Sequence, residues 1–411
     1  MLRNAVFGTL MARLLAAAAG FGTVVLCSRF MGAEGRGTLS ILLALVQVMM
    51  IASEFVGGST LVNLTPRFGV QRLWPGSYLW LGAVLLFSAT VMYLSGKQHL
   101  WMSLLMALPL GLLTIHYSLL QGLGDMRSRN RAQLIYELLK MLMVAALFLC
   151  FQQETGRVQG TVMAFSMAAL IAWMLTLPRL RSGIPGSLNM PRALFAAGWW
   201  SQLGHLVQFL NYRAALFLID YWLGNSETGR YSNALVIADA VWIFGNSLGS
   251  VAHMRMVLRP DAAYARNLLR RYHSLSVCGT TLAVLFLLFL PDAVYMALFG
   301  AEFRGFRTVL LPLLPVILLL SASTLPSHLL HAANDFRHLL LANVSGWVVQ
   351  FLLSLWLIPR YGLQGAAIAA GFGFLCILLM VWRRLLRKHG IQAGDFIPRI
   401  NYARRLLRRM F

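Results

Sequence analysis

Apolar runs of 18 residues or more follow one another along nearly the whole chain, separated by short polar or glycine-rich stretches. A run of that length, wound as a helix, crosses a hydrocarbon core about 30 Å thick. Twelve such segments are predicted, at roughly 5–28, 38–64, 77–95, 100–122, 132–151, 158–177, 194–223, 231–254, 273–291, 308–331, 339–358 and 363–382. The pattern therefore predicts an all-α polytopic membrane protein with twelve transmembrane helices. The first segment has the outline of a signal peptide, but Arg13 interrupts its apolar run, and a retained helix is expected.

The polar stretches between segments echo one another. Glycines at 32, 35 and 37 in Arg29–Ser40 (RFMGAEGRGTLS) predict a tight helical hairpin, because glycine takes positive φ without a steric penalty. Gly32 and Gly37 return as Gly224 and Gly229 in LGNSETGRYS, a shift of 192. LLQGLGDMRS at 119–128 returns as LLHAANDFRH at 329–338, and Val158-Gln159-Gly160 returns as Leu363-Gln364-Gly365. Three echoes in one order predict a duplicated unit. The expected organisation is a six-helix lobe over 1–178, a cytoplasmic linker over 179–193 rich in proline, a second six-helix lobe over 194–386, and a basic amphipathic cytoplasmic tail over 387–411. With an even number of segments each, the lobes form a parallel internal repeat, expected to lie around a central cavity.

Composition agrees: 59% of residues are hydrophobic and 12% charged, against about 25% charged in soluble domains. A net charge of +22 would point to nucleic acid in a soluble protein, but here its placement is a topology signal. With the boundaries above, 24 of the 35 Lys and Arg fall on one side. By the positive-inside rule both termini are cytoplasmic, and no nucleic-acid partner is expected. The tail, with basic pairs among Leu406, Leu407, Met410 and Phe411, suits an anionic lipid surface as well as a plain positive anchor. The four cysteines have no metal or disulfide spacing, no P-loop is present, and neither a metal nor a cofactor is expected. Pro312, Pro315 and Pro326 predict a kinked tenth segment.

Ionised groups in hydrocarbon are costly and usually face a cavity or a partner. Arg13 and Glu54 sit at similar depth in the first two segments, as do Arg213 and Asp239 in the seventh and eighth. Asp220 shares a helical face with Arg213. Each acid–base pair reads either as a functional site or as a fixed salt bridge. Lys140, one turn after Glu137, reads more simply as a snorkelling lysine than as a ligand. His205 stands where Arg13 stands under the 192 shift. His328 and His331 share a face but have no third ligand at metal spacing. Trp199, Trp200, Trp222, Trp242 and Tyr212 suit either sugar stacking or anchoring at the membrane interface.

The glycine pattern of Met31–Gly37, its Gly229–Ser232 partner and Pro359–Ala369 (PRYGLQGAAIA) resemble bacterial O-antigen and lipid-linked oligosaccharide flippases. These belong to the multidrug/oligosaccharidyl-lipid/polysaccharide exporter superfamily. The likeness extends over nearly the whole chain, through motifs of loop and packing glycines. It implies a non-enzymatic transporter of the bacterial inner membrane, moving an undecaprenyl-pyrophosphate-linked oligosaccharide to the outer leaflet by alternating access. Membrane lipids, a polysaccharide polymerase and a chain-length regulator are the implied partners. Arg13 and Arg213 would hold the pyrophosphate, with Lys140 and His205 as further substrate-binding candidates. Glu54, Asp220 and Asp239 would balance charge or take a coupling ion. A cation-coupled multidrug exporter of the same superfamily is the alternative, and a membrane glycan polymerase or ligase a weaker one.

Overall fold

The computed structural model describes residues 2–96, 100–150, 154–180, 192–259 and 261–398, with the side chains of 2–14, 154–155 and 192–201 also outside the description. The expected linker lies mostly, and the tail beyond residue 398 wholly, outside these residues. Among the described residues the chain is helical, and it divides into two compact units, Met1–Leu206 and Val207–Phe411.

In the first unit, α1 (Leu2–Ser53) is broken at Gly32, where φ is 69° and ψ −170°. Fifty-two residues of unbroken helix would reach about 78 Å, more than twice the hydrocarbon core, so the break separates two crossings. Then come α2 (Gly58–Phe68), α3 (Val70–Leu94), α4 (Trp101–Gly122), α5 (Met126–Cys150) and α6 (Glu154–Leu180). Cys27, Leu42, Met106, Val144 and Phe165 are among the residues of its core. Helices approach closely where side chains are small: a Cβ on Gly111 would strike Leu81, and one on Gly122 would strike Thr65.

The second unit takes the end of α7 (Arg192–Leu223), then α8 (Asn225–Leu258) and α9 (Ala262–Phe289). A short α10 (Asp292–Phe299), which the apolar pattern does not predict, buries Tyr295 and Phe299 against Phe303 and Phe306. The tenth predicted segment begins as α11 (Phe306–Leu310), passes through a 3-10 turn containing Pro312, and continues as α12 (Leu314–Ala332). Proline cannot supply the N–H that an α-helix needs there. The last helix, α13 (Phe336–Lys388), is broken at Gly362, φ 56°. Close contacts pair Asp335 with Arg384, Gly346 with Gly373 and Leu357 with Gly365. Pairs centred near residue 361 describe an antiparallel hairpin, so α13 is two crossings.

Nine helices among the described residues are long and apolar enough to cross a membrane, two of them double. Their outer faces expose Leu94, Leu149 and Phe289 at 78%, 83% and 77%, surface that suits lipid and not water.

The duplicated words fold alike. Asp125 N–H bonds to Leu120 O and Asp335 N–H to Leu330 O; Leu123 to Leu119 and Ala333 to Leu329 repeat the same step. Both are helix ends of the Schellman kind, whose left-handed residue is Gly124 (φ 76°) in one and Asn334 (φ 56°) in the other. Gly32 and Gly224 share a conformation as well, with φ of 69° and 84°.

After α13 the chain does not run straight on as an amphipathic helix. Residues Ala393–Asp395 form a turn, and Asp395, 1% exposed, accepts hydrogen bonds from Arg266 Nε (2.6 Å) and Arg270 Nε on α9. The Phe396 ring stacks on Trp382 at 4.4 Å, and its carbonyl meets His273 Nε2. A buried carboxylate between two guanidinium groups outcompetes a solvated tail at this point.

Asn334→Val places a β-branched residue in the left-handed region, which costs about 1–2 kcal/mol; Asn334→Gly does not. Thermal melting in detergent should show the first variant destabilised and the second at or above the native midpoint. At the start of α13, the hydrogen bond from Arg384, supported by His389, holds the Asp335 carboxyl down at about 2, below its ordinary 3.8. A depressed folded value means this stabilisation is present above about pH 4 and fades as pH falls toward 2. Asp335→Asn should flatten that part of the acid-unfolding curve.

Candidate functional site

The first unit holds a break that the apolar pattern did not predict. The second segment, expected to run unbroken over 38–64, stops at Ser53, and α2 starts at Gly58. The carbonyls released there are met from α3: Trp80 Nε1 donates to Ala52 O at 2.9 Å, and the Ser77 hydroxyl lies 3.1 Å from Val56 O. The doublet Gly57–Gly58 was the available signal, and Gly58 takes φ of 51°. Glu54 folds over this glycine so closely that a Cβ on Gly58 would lie 3.2 Å from Glu54 Oε2. His205 Nδ1 stands 3.9 Å from that oxygen, with the imidazole 47% and the carboxylate 29% exposed. His205 Nδ1 also lies 3.2 Å from Gln202 Oε1.

The second unit carries a different pair. Arg213 Nη2 on α7 donates to Asp239 Oδ2 on α8 at 2.5 Å, with the side chains 24% and 36% exposed. The neighbouring Tyr212 ring packs between Trp242 (5.4 Å) and Phe374 (5.5 Å), and the Trp242 indole N–H donates to Thr324 Oγ1. Just before Tyr212, Asn211 donates to the carbonyls of Val207 and Asn343. A guanidinium has five N–H donors in a rigid fork, and the Asp239 bond engages Nη2, so the partly exposed group keeps capacity for a second oxygen anion. Asp220 lies on α7 four residues before Gly224, and the acid seen bonded to Arg213 is Asp239. Arg13 belongs to α1, but its side chain is outside the described residues.

Lys140 corrects its expectation. It does not snorkel: it is 9% exposed, its ammonium lies 2.6 Å from Glu137, and the rings of Tyr136 and Phe165 flank it at 4.9 and 5.1 Å. Burial of a lysine is tolerable here because the carboxylate neutralises it, and Gly20 leaves the carboxylate room.

Sequence reasoning missed His116. Its Nδ1 lies 2.5 Å from Thr176 Oγ1, whose own proton goes to the Trp173 carbonyl, so Nδ1 carries the hydrogen. Nε2 then accepts from the Tyr78 hydroxyl (2.5 Å) and the Trp173 indole (3.1 Å). Every polar atom of this imidazole is used, which makes it a strut between α3, α4 and α6. Nothing in a single histidine within an apolar run signals such a role. His253 on α8 joins His328 and His331, with ring centroids 6.0 and 4.9 Å away. Among the described residues no grouping of His, Cys, Asp and Glu is arranged to hold a metal ion.

No protein-family model matches the chain, and no curated protein matches it in sequence. Solved structures do match in fold. The lipid II flippase MurJ, inward closed, is similar with a TM-score of 0.75 and 12% identity, over 98% of this chain and 91% of that one. An inward-facing multidrug resistance transporter of the MATE family, in the MOP superfamily, is similar with 0.71 and 13%, over 90% and 94%. A MOP superfamily transporter from Pyrococcus furiosus follows, with 0.61 and 12%, over 92% and 93%. The chain thus has the all-helical fold of MOP superfamily transporters, in line with the polytopic helical architecture its apolar pattern predicts and with the resemblance carried by its glycine motifs.

Replacing Asp239 by Leu leaves the Arg213 guanidinium without its carboxylate. In a fully buried pair that costs about 3–5 kcal/mol; here, with partial exposure, less is expected. Adding Arg213→Met should recover most of the loss in thermal melting, as expected for residues that interact directly.

Proposed function

We propose that the chain is a flippase that moves an undecaprenyl-pyrophosphate-linked oligosaccharide from the inner to the outer leaflet of the bacterial inner membrane by alternating access. The observation that carries this reading is the Arg213–Asp239 pair, partly exposed beside Tyr212 and Trp242, on a fold shared with a lipid II flippase. A guanidinium fork suits phosphoryl oxygens in shape and charge. Asp239 neutralises it when no substrate is bound and gives it up when a pyrophosphate oxygen arrives. Arg13, in the first lobe of the proposed repeat, holds the pyrophosphate at another step of the path.

The membrane potential favours the direction. An anion moving outward descends an inside-negative potential, gaining about 2.3 kcal/mol per charge per 100 mV. A cation-coupled drug exporter is the second reading, favoured by the likeness to a MATE family transporter. Against it, a fixed arginine at the candidate site repels the cations such an exporter would carry.

Complementation decides. Deleting the gene in its host should abolish surface polysaccharide and trap lipid-linked precursor on the cytoplasmic side. Arg213→Ala, at matched protein level, should do the same, and Arg213→Lys should restore part of the export. Normal polysaccharide after deletion, in a host without a second flippase and with raised drug sensitivity, would establish the exporter instead.

A further inference from the structure

We propose that Glu54 and His205 form a one-proton site at the break between α1 and α2, and that this proton is the coupling ion of transport. The coupling half rests on the transport reading above; the proton site does not.

The Arg213–Asp239 and His205–Glu54 pairs differ in the one property that matters for an exchangeable ion. Arginine stays charged at every physiological pH, so the Arg213–Asp239 contact at 2.5 Å offers no exchangeable proton on the base. Histidine releases its proton near neutrality. His205 and Glu54 also stand farther apart, at 3.9 Å, and are more open, at 47% and 29% exposure. They can therefore gain or lose one proton without the helices first separating. By the 192 shift, His205 occupies the place of Arg13, so the duplicated unit carries a titratable base where its other copy carries a fixed one.

The hydrogen-bond pattern says where the proton goes. The Gln202 amide turns Oε1 toward His205 Nδ1 at 3.2 Å, an arrangement in which Nδ1 donates toward Gln202 and Glu54. Nε2 is then the nitrogen that takes up a proton from water. With neutral imidazole and ionised Glu54 the pair has a charge of −1; one proton, on Nε2 or on Glu54 Oε2, makes it neutral. No other atom is exchanged.

The surroundings do not compete for that proton. From α3 the break receives the Trp80 indole and the Ser77 hydroxyl, neither of which titrates in this range. From α4 the nearest ionisable ring, His116, is saturated by Tyr78, Thr176 and Trp173. Gly57 and Gly58 add no side chain. Besides Arg13, α1 carries Arg3, Arg29, Glu34 and Arg36, nearer its start and its Gly32 break. A helix interrupted inside the membrane beside a carboxylate is the form that ion sites take in transporters with discontinuous helices.

The test uses the whole protein in lipid nanodiscs and reads the infrared carbonyl band of protonated carboxylic acid while pH is lowered from about 8 to about 5, a window that brackets an ordinary imidazole. The wild type should gain a band that Glu54→Gln lacks. His205→Gln, an exposed position that leaves the break intact, should enlarge the band at the low-pH end, because the shared proton then has no imidazole to reside on. A band unchanged in Glu54→Gln, or one of unchanged size in His205→Gln, overturns the site. In cells, collapsing the proton gradient should slow glycan export several-fold in the wild type, while the already reduced export of His205→Gln, measured against its own rate before collapse, should not fall further; an equal fractional loss in the two overturns the coupling. If deletion of the gene leaves the glycan intact, the flippase reading fails while the infrared result still decides the proton site.

Discussion

In hydrocarbon, a peptide N–H or C=O that leaves its helix finds no water, so every departure from helical geometry must bring its own partner or a residue that needs none. This chain departs at several places and meets the condition differently at each. Gly32, Gly224 and Gly362 take left-handed conformations that cost glycine little. The turn at Pro312 needs one hydrogen bond fewer. At Glu54–Gly57 the released carbonyls are answered by Trp80 and Ser77 from a neighbouring helix. That last break is the one met by side chains of a neighbouring helix, and it is also where a carboxylate sits.

Charges obey the same rule more strictly, since their desolvation costs more. Glu137 and Lys140 cancel each other within one turn and are shut in by aromatic rings. Asp239 cancels Arg213 across two helices and leaves the pair reachable. Glu54 and His205 are looser still. The three arrangements form a gradient from structural to exchangeable, set by distance, enclosure and whether the base can lose its proton.

Much of this was legible in the sequence. Apolar runs located the crossings because the bilayer imposes a length, and the glycine echoes located the turns because few residues adopt positive φ. The match of Asn334 to Gly124 was visible as a substitution within a repeated word, and asparagine is the next residue able to take that conformation. The pairing of Arg213 with Asp239 followed from equal depth on consecutive helices. What stayed hidden depends on contacts between segments far apart in the chain. His116 is held by residues 38 and 60 positions away, and Trp80 caps a carbonyl 28 positions away. Apolar periodicity also mistakes a broken helix for a whole one, since Gly57 and Gly58 interrupt the backbone without interrupting the hydropathy.

The Asp395 clip carries a consequence for the order of assembly. Arg266 and Arg270 lie on a helix that the ribosome delivers to the membrane well before Asp395, 129 residues downstream of Arg266, has been made. Until then two guanidinium groups at the end of α9 must rely on water or lipid phosphate for their counter-charge. The second unit therefore matures in two stages, insertion first and closure of α9 against α13 later. During the interval its polar end is open to whatever anion the membrane surface supplies.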